Sequence, residues 1–125
     1  MSWLRRAPKG ERARMNKTEA DRAVMSQLRY LGADLDQPRE VIHYLYLPTA
    51  DASRKAAQAL RLEGYEVEEK AASDAAKKPP NPFLVLATSE IVLNSWAVHQ
   101  FRQLFEQLAS HFCGEYDGWE AAAQP

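Results

Sequence analysis

Three histidines and one cysteine are the side chains in this sequence best suited to metal binding or nucleophilic work, so their spacing is decisive. His99 and His111 stand twelve residues apart on what reads as one helix, too far for a single ion to bridge, and His43 falls inside an apolar strand. Metal centres draw ligands from closer pairs, and structural or surface roles are therefore expected for all three. Cys113 is the one cysteine of the chain. It excludes an internal disulfide and a cysteine metal cluster, agrees with a reducing compartment, and is expected to pack at a helix end. No phosphate-cradling glycine loop or nucleophile elbow occurs. Pro48-Thr49-Ala50-Asp51, after the first strand, lacks the arginine and asparagine of an anion-cradling acyl-phosphate hydrolysing loop. No catalytic residue, metal or cofactor is expected, and neither is an enzyme.

The elements that would position these groups follow from apolar spacing. Asn16-Lys17-Thr18-Glu19 has the form of a capping box, predicting a first helix to Leu31 with Ala20, Val24, Leu28 and Leu31 buried and Arg22, Gln27 and Arg29 in water. Arg39–Leu47 reads as a strand bounded by Pro38 and Pro48. Val41, Leu45 and Leu47 fall on one face, Ile42, Tyr44 and Tyr46 on the other, which predicts cover on both sides. Thr49 caps a second helix to about Glu63, with Ala52, Ala56, Ala59 and Leu60 inward. Tyr65-Glu66-Val67-Glu68 alternates as an edge strand does. Residues 70–82 form a proline-rich connector, and Phe83–Ala87 a second central strand. From Asn94 the residues Ala97, Phe101, Leu104, Phe105, Leu108 and Phe112 share one face of a long helix that Asn94 or Ser95 caps and a left-handed Gly114 closes. After it, Tyr116 and Trp119 bracket Asp117-Gly118, a pair that favours a tight bend.

Helix, strand, helix, strand, strand, helix, strand contains a split βαββαβ unit. The expected fold is α+β: a ferredoxin-like two-layer sandwich with a four-stranded antiparallel sheet, first and third strands central, two helices on one face, and an extra N-terminal helix free to cover or flank the other. The 125 residues suit one domain, and 46% apolar with 26% charged residues is ordinary for a soluble globular protein. No apolar run approaches the ~20 residues that span a bilayer. The start lacks the apolar block of a secretory signal, so a cytoplasmic location is expected.

The net charge of −1 is unevenly spread. Residues 1–17 hold six basic side chains and Glu11 alone among acids, a balance of +5, which leaves −6 for the remainder. Residues 1–15 read as a disordered basic arm, 16–120 as the folded domain and 121–125 as a flexible tail. The arm suits contact with phosphates, and a nucleic-acid- or ribosome-associated protein acting through it is the alternative reading of function. The third strand, Phe83–Ala87, offers neither glycine nor positive charge, so an RNA-recognition sheet is not expected.

Ala56-Ala57 through Leu62, Gly64-Tyr65-Glu66-Val67, Leu93-Asn94 and Glu115-Tyr116-Asp117-Gly118-Trp119 occur in the order found in the regulator of ribonuclease E activity B family (RraB), which this chain resembles from Lys17 to Glu120. The Tyr-Asp-Gly-Trp element is the most specific part. The resemblance implies a small, bacterial, cytoplasmic, ferredoxin-like protein that binds a protein partner, ribonuclease E, outside its catalytic centre and restrains RNA decay. Asn94, Trp96, Tyr116, Asp117 and Trp119 are then the candidate partner-binding residues. Three of these positions also have a structural reading, Asn94 as a helix cap, Asp117-Gly118 as a turn and Trp119 as a core plug. The chain departs from the family in ending Ala121-Ala122-Ala123-Gln124-Pro125 without an acidic tail, and in carrying Ser95-Trp96-Ala97-Val98 where acidic residues follow the helix-opening asparagine.

Overall fold

Along Arg39–Leu47 every odd-numbered residue is buried and every even-numbered one is half-buried, the signature of a strand packed on one face. The computed structural model describes residues 3–4, 17–71 and 81–122. Its elements in chain order are β1 (Trp3–Leu4), α1 (Lys17–Tyr30), β2 (Arg39–Leu47), α2 (Ala50–Leu62), β3 (Glu66–Ala71), β4 (Phe83–Ile91), α3 (Ser95–His111) and β5 (Glu115–Ala122). The sheet order is β1-β5-β2-β4-β3 with all neighbours antiparallel. The two apolar strands β2 and β4 lie side by side at its centre over a nine-residue register from Arg39↔Ile91 to Leu47↔Phe83. This is the expected α+β, ferredoxin-like arrangement with an added N-terminal helix.

The helices all belong to one side. Val41, Leu45, Leu47, Val85 and Ala87 from the sheet join Ala56, Ala57 and Leu60 of α2 and Phe101, Phe105 and Ala109 of α3 in a single buried cluster. Helix α1 joins the same side through Met25 and Leu28 and through Asp21, which hydrogen-bonds both Trp119 on β5 and Arg102 on α3. The expectation that β2 is covered on both faces is therefore corrected: Ile42, Tyr44 and Tyr46 are only half-buried, because α1 adds to the helical layer instead of covering the other side. Its buried stripe is corrected too. Asp21, Met25 and Leu28 face inward while Leu31 is exposed, one residue out of phase with the purely apolar pattern.

At both ends of the chain β-structure extends further than expected. Trp3 and Leu4, assigned to the disordered arm, pair with Ala122 and Ala121, and those two alanines, assigned to a flexible tail, are buried at the end of β5. The buried Arg39 guanidinium donates to the carbonyls of Ala122 and Asp34, tying the start of β2 to the end of β5. The remainder of the arm from residue 5, including Asn16 of the capping box, lies outside the described residues, as do residues 72–80 of the connector and 123–125 of the tail.

The segment after α3 behaves differently from its sequence reading in two ways. Cys113, not Gly114, takes the left-handed conformation, at φ 58°. The Gly114 amide donates to the Ala109 carbonyl and the Cys113 amide to that of Ser110, closing the helix with the paired bonds of a Schellman turn. Gly114 is required for another reason: a Cβ on it would fall far inside contact distance of the Tyr46 carbonyl oxygen and the Leu47 side chain. Asp117-Gly118, read as a bend, is a β-bulge within β5. The register passes from His43↔Trp119 to Leu45↔Tyr116, setting two residues against one, and Gly118 supplies the positive φ of 98°. We expect Gly114→Ala to lower the unfolding free energy by about 1–3 kcal/mol through overpacking; urea denaturation checks this, and an unchanged midpoint would mean that the backbone yields at no cost.

Candidate functional site

Three of the five candidate residues serve the interior or a helix end. Trp119 and Tyr116 are 1% and 7% exposed, both turned toward the helical layer. Trp119 meets Phe101 edge-on at 5.3 Å between ring centroids, and Tyr116 stacks on Phe105 at 4.9 Å. The Asn94 side chain accepts a hydrogen bond from the Ala97 amide at 2.8 Å, capping α3 in the manner its sequence position suggests. Asp117 is half-buried in the bulge. Trp96 stands apart, 72% exposed on the first turn of α3.

Beneath these residues runs a chain of buried polar groups. Trp119 Nε1 donates to Asp21 Oδ1 at 2.9 Å. Arg102 donates to both carboxylate oxygens of Asp21, at 2.6 and 3.1 Å, and to Glu106 at 3.1 Å. Its guanidinium carbon lies 4.8 Å from the centre of the Tyr116 ring, a cation–π distance. The Tyr116 hydroxyl shares a 2.8 Å hydrogen bond with His43 Nδ1. His43 is itself stacked on Phe105 at 4.2 Å and edge-on to Phe101 and Tyr65.

The charges respond to this enclosure. Burial would make the Arg102 guanidinium easier to deprotonate, but its bonds to Asp21 outweigh that and hold its pKa above the ordinary value. Burial pushes the Tyr116 hydroxyl well up, against the opposing pull of Arg102. Burial, with the Arg102 charge second, lowers His43 to about 3, so the ring is neutral at physiological pH. A general base must reach a substrate proton, and a histidine with no exposed surface does not. His43 is thus a neutral core ring, as its place in the strand suggests. Sequence spacing missed Asp21 and Arg102, because neither charge lies near the other in the chain and both occupy positions that an apolar period would leave to solvent.

Trp96 borders a groove of about 480 Å³ between the end of α2 and the start of α3. Glu63 and Tyr65 after α2, Val92 after β4, and Gln100 and Leu104 of α3 line it together with Trp96. Val92 is also exposed. An apolar recess beside an unprotected indole is the form of surface that protein partners cover. Among the described residues no group of three or more His, Cys, Asp or Glu side chains could hold a metal, and no helix is long and apolar enough to cross a membrane.

The fold and the site together define a ferredoxin-like α+β domain with a largely buried polar chain and an apolar recess on its helical side. Its sequence matches the family profile described as Regulator of ribonuclease activity B over residues 18–121, and the chain belongs to that family. No curated protein matches the sequence closely.

The burial of His43 makes stability depend on pH. Below about 6.5 the unfolded chain protonates this ring, while the folded chain does so only near 3, so the unfolded state binds the extra proton between those values. Stability is complete above pH 6.5 and falls as the pH drops, by up to about 1.4 kcal/mol per pH unit. Urea unfolding at pH 7.5 and 5.5 should show the loss, and His43→Leu should flatten it; the same slope in the variant would assign it to other groups.

Proposed function

We propose that this protein is a non-enzymatic regulator of RNA turnover that binds a ribonuclease of the ribonuclease E kind, outside the nuclease's catalytic centre, and restrains it by docking. The observation that carries the reading is Trp96, an exposed indole at the mouth of an apolar groove, in a chain that belongs to a family of ribonuclease regulators. Indoles of this kind supply a large share of binding free energy once a partner excludes water from them.

In this reading the five candidate residues have different tasks. Trp96 touches the partner. Asn94 fixes the first turn of α3 and with it the direction in which Trp96 points, while Tyr116 and Trp119 hold α3 against the sheet from below. Asp117 sits half-buried in the bulge of β5 and is not among the residues that line the Trp96 groove.

Calorimetric titration of the purified full chain into a ribonuclease E-type enzyme, with nuclease-treated samples in parallel, tests the proposal. Trp96→Ala should weaken binding by roughly 30-fold or more, the effect of losing a hot spot of about 2 kcal/mol, and leave the urea midpoint unchanged. Unaltered affinity in Trp96→Ala would remove the groove from the interface, and binding that disappears on nuclease treatment would replace the protein partner with RNA.

A further inference from the structure

On the opposite flank of α3 from Trp96 lies a second recess, of about 450 Å³, along the seam with α1. Met25 and Val98 form a buried apolar floor. Arg22 and Arg29 project from one face of α1, seven residues or about 10 Å of helix apart, with Ser26 between them. His99 and Ser95 stand across from them on α3. The Asp21–Arg102 ion pair closes the recess at its base.

The charge of this recess runs against its surroundings. Residues 18–125 carry a net −6, yet the lining holds Arg22, Arg29 and Arg102 against Asp21 alone, a balance of +2. Elsewhere the exposed bases Arg54 and Lys55 pair with Asp51, and Arg61 with Glu69. Arg22 and Arg29 have no carboxylate partner among the described residues. Asp21 does not neutralise them, since its oxygens are taken by Arg102 and Trp119.

We propose that this cleft binds a small organic phosphate, with the phosphate group between Arg22 and Arg29 and the carbon portion on Met25 and Val98. Forked guanidiniums grip tetrahedral oxyanions through paired charge-assisted hydrogen bonds, and the hydroxyls of Ser26 and Ser95 supply further donors. A dianion with three free oxygens uses this set more fully than a carboxylate does. The volume falls in the range of small-molecule sites, roughly 300–1,000 Å³, and suits a molecule the size of a nucleotide. The site is separate from the Trp96 groove and does not depend on the ribonuclease reading.

Amide chemical shifts of the full chain, titrated with adenosine monophosphate, inorganic phosphate and adenosine to about 1 mM, the weak end of specific affinity, test the proposal. The nucleotide should produce saturable shifts at Arg22, Ser26, Arg29, Ser95 and His99, and adenosine none. Tighter binding of the nucleotide than of inorganic phosphate supports an ester that uses the apolar floor; equal binding overturns the organic half of the assignment and leaves a site for free phosphate. Arg22→Gln and Arg29→Gln should each weaken the nucleotide about tenfold, the loss of a charge-assisted bond, whereas Arg54→Gln leaves it unchanged. Absence of shifts with either phosphate, equal shifts with adenosine, or full binding by the Arg22→Gln, Arg29→Gln double variant would overturn the assignment.

Discussion

One carboxylate joins the three parts of this domain that the chain places far apart. Asp21 on α1 meets Arg102 on α3 and Trp119 on β5, at sequence separations of 81 and 98 residues. Both members of the ion pair are largely withdrawn from water, with side chains 10% and 16% exposed. Breaking such a pair by removing one partner costs on the order of 3–5 kcal/mol, because a charge is left buried without compensation. The carboxylate satisfies the indole N–H and the guanidinium together, so the N-terminal helix docks in one position and α3 is held over β5.

That constraint also explains which parts of the architecture could be read from the chain alone. Residue spacing carried the order of elements, the central place of β2 and β4, and the capping roles of Thr49 and Asn94, since each depends on local pattern or on a short-range hydrogen bond. It failed for α1, where Leu31 looks like a core residue by its period and is exposed, and Asp21 looks solvated and is buried. A polar group that finds its partners nearly a hundred residues away leaves no periodic trace. The single-sided cover of the sheet was hidden for the same reason, because Ile42, Tyr44 and Tyr46 are apolar or amphipathic enough to suit either setting. Gly114, expected to close α3 by a left-handed conformation, is needed instead because Tyr46 and Leu47 approach it too closely for a side chain. Of the five candidate residues, Trp96 is the exposed aromatic while Tyr116 and Trp119 are buried, a distinction that residue type alone does not carry.

The first half of α3 emerges as a ridge with a recess on either flank. Ala97, Gln100, Phe101 and Leu104 turn to one side and Ser95, Val98, His99 and Arg102 to the other, as the 3.6-residue turn requires. The two flanks differ in chemistry, one apolar beside an indole, the other cationic above an apolar floor. Asn94 anchors the helix start from which both are displayed and itself lines the recess beside the indole, so one capping residue bears on both surfaces.

The bulge at Asp117-Gly118 acts on the aromatic motif as a frameshift acts on a message. Side chains along an uninterrupted strand alternate between its two faces, so residues 116 and 119, one even and one odd, would point in opposite directions. The supernumerary residue resets the parity and brings both rings to the interior, where one meets His43 and the other Asp21. The odd spacing between these two aromatics is therefore tied to the bulge: the same three-residue step in an unbulged strand would turn one ring outward and sever its link to the buried polar chain.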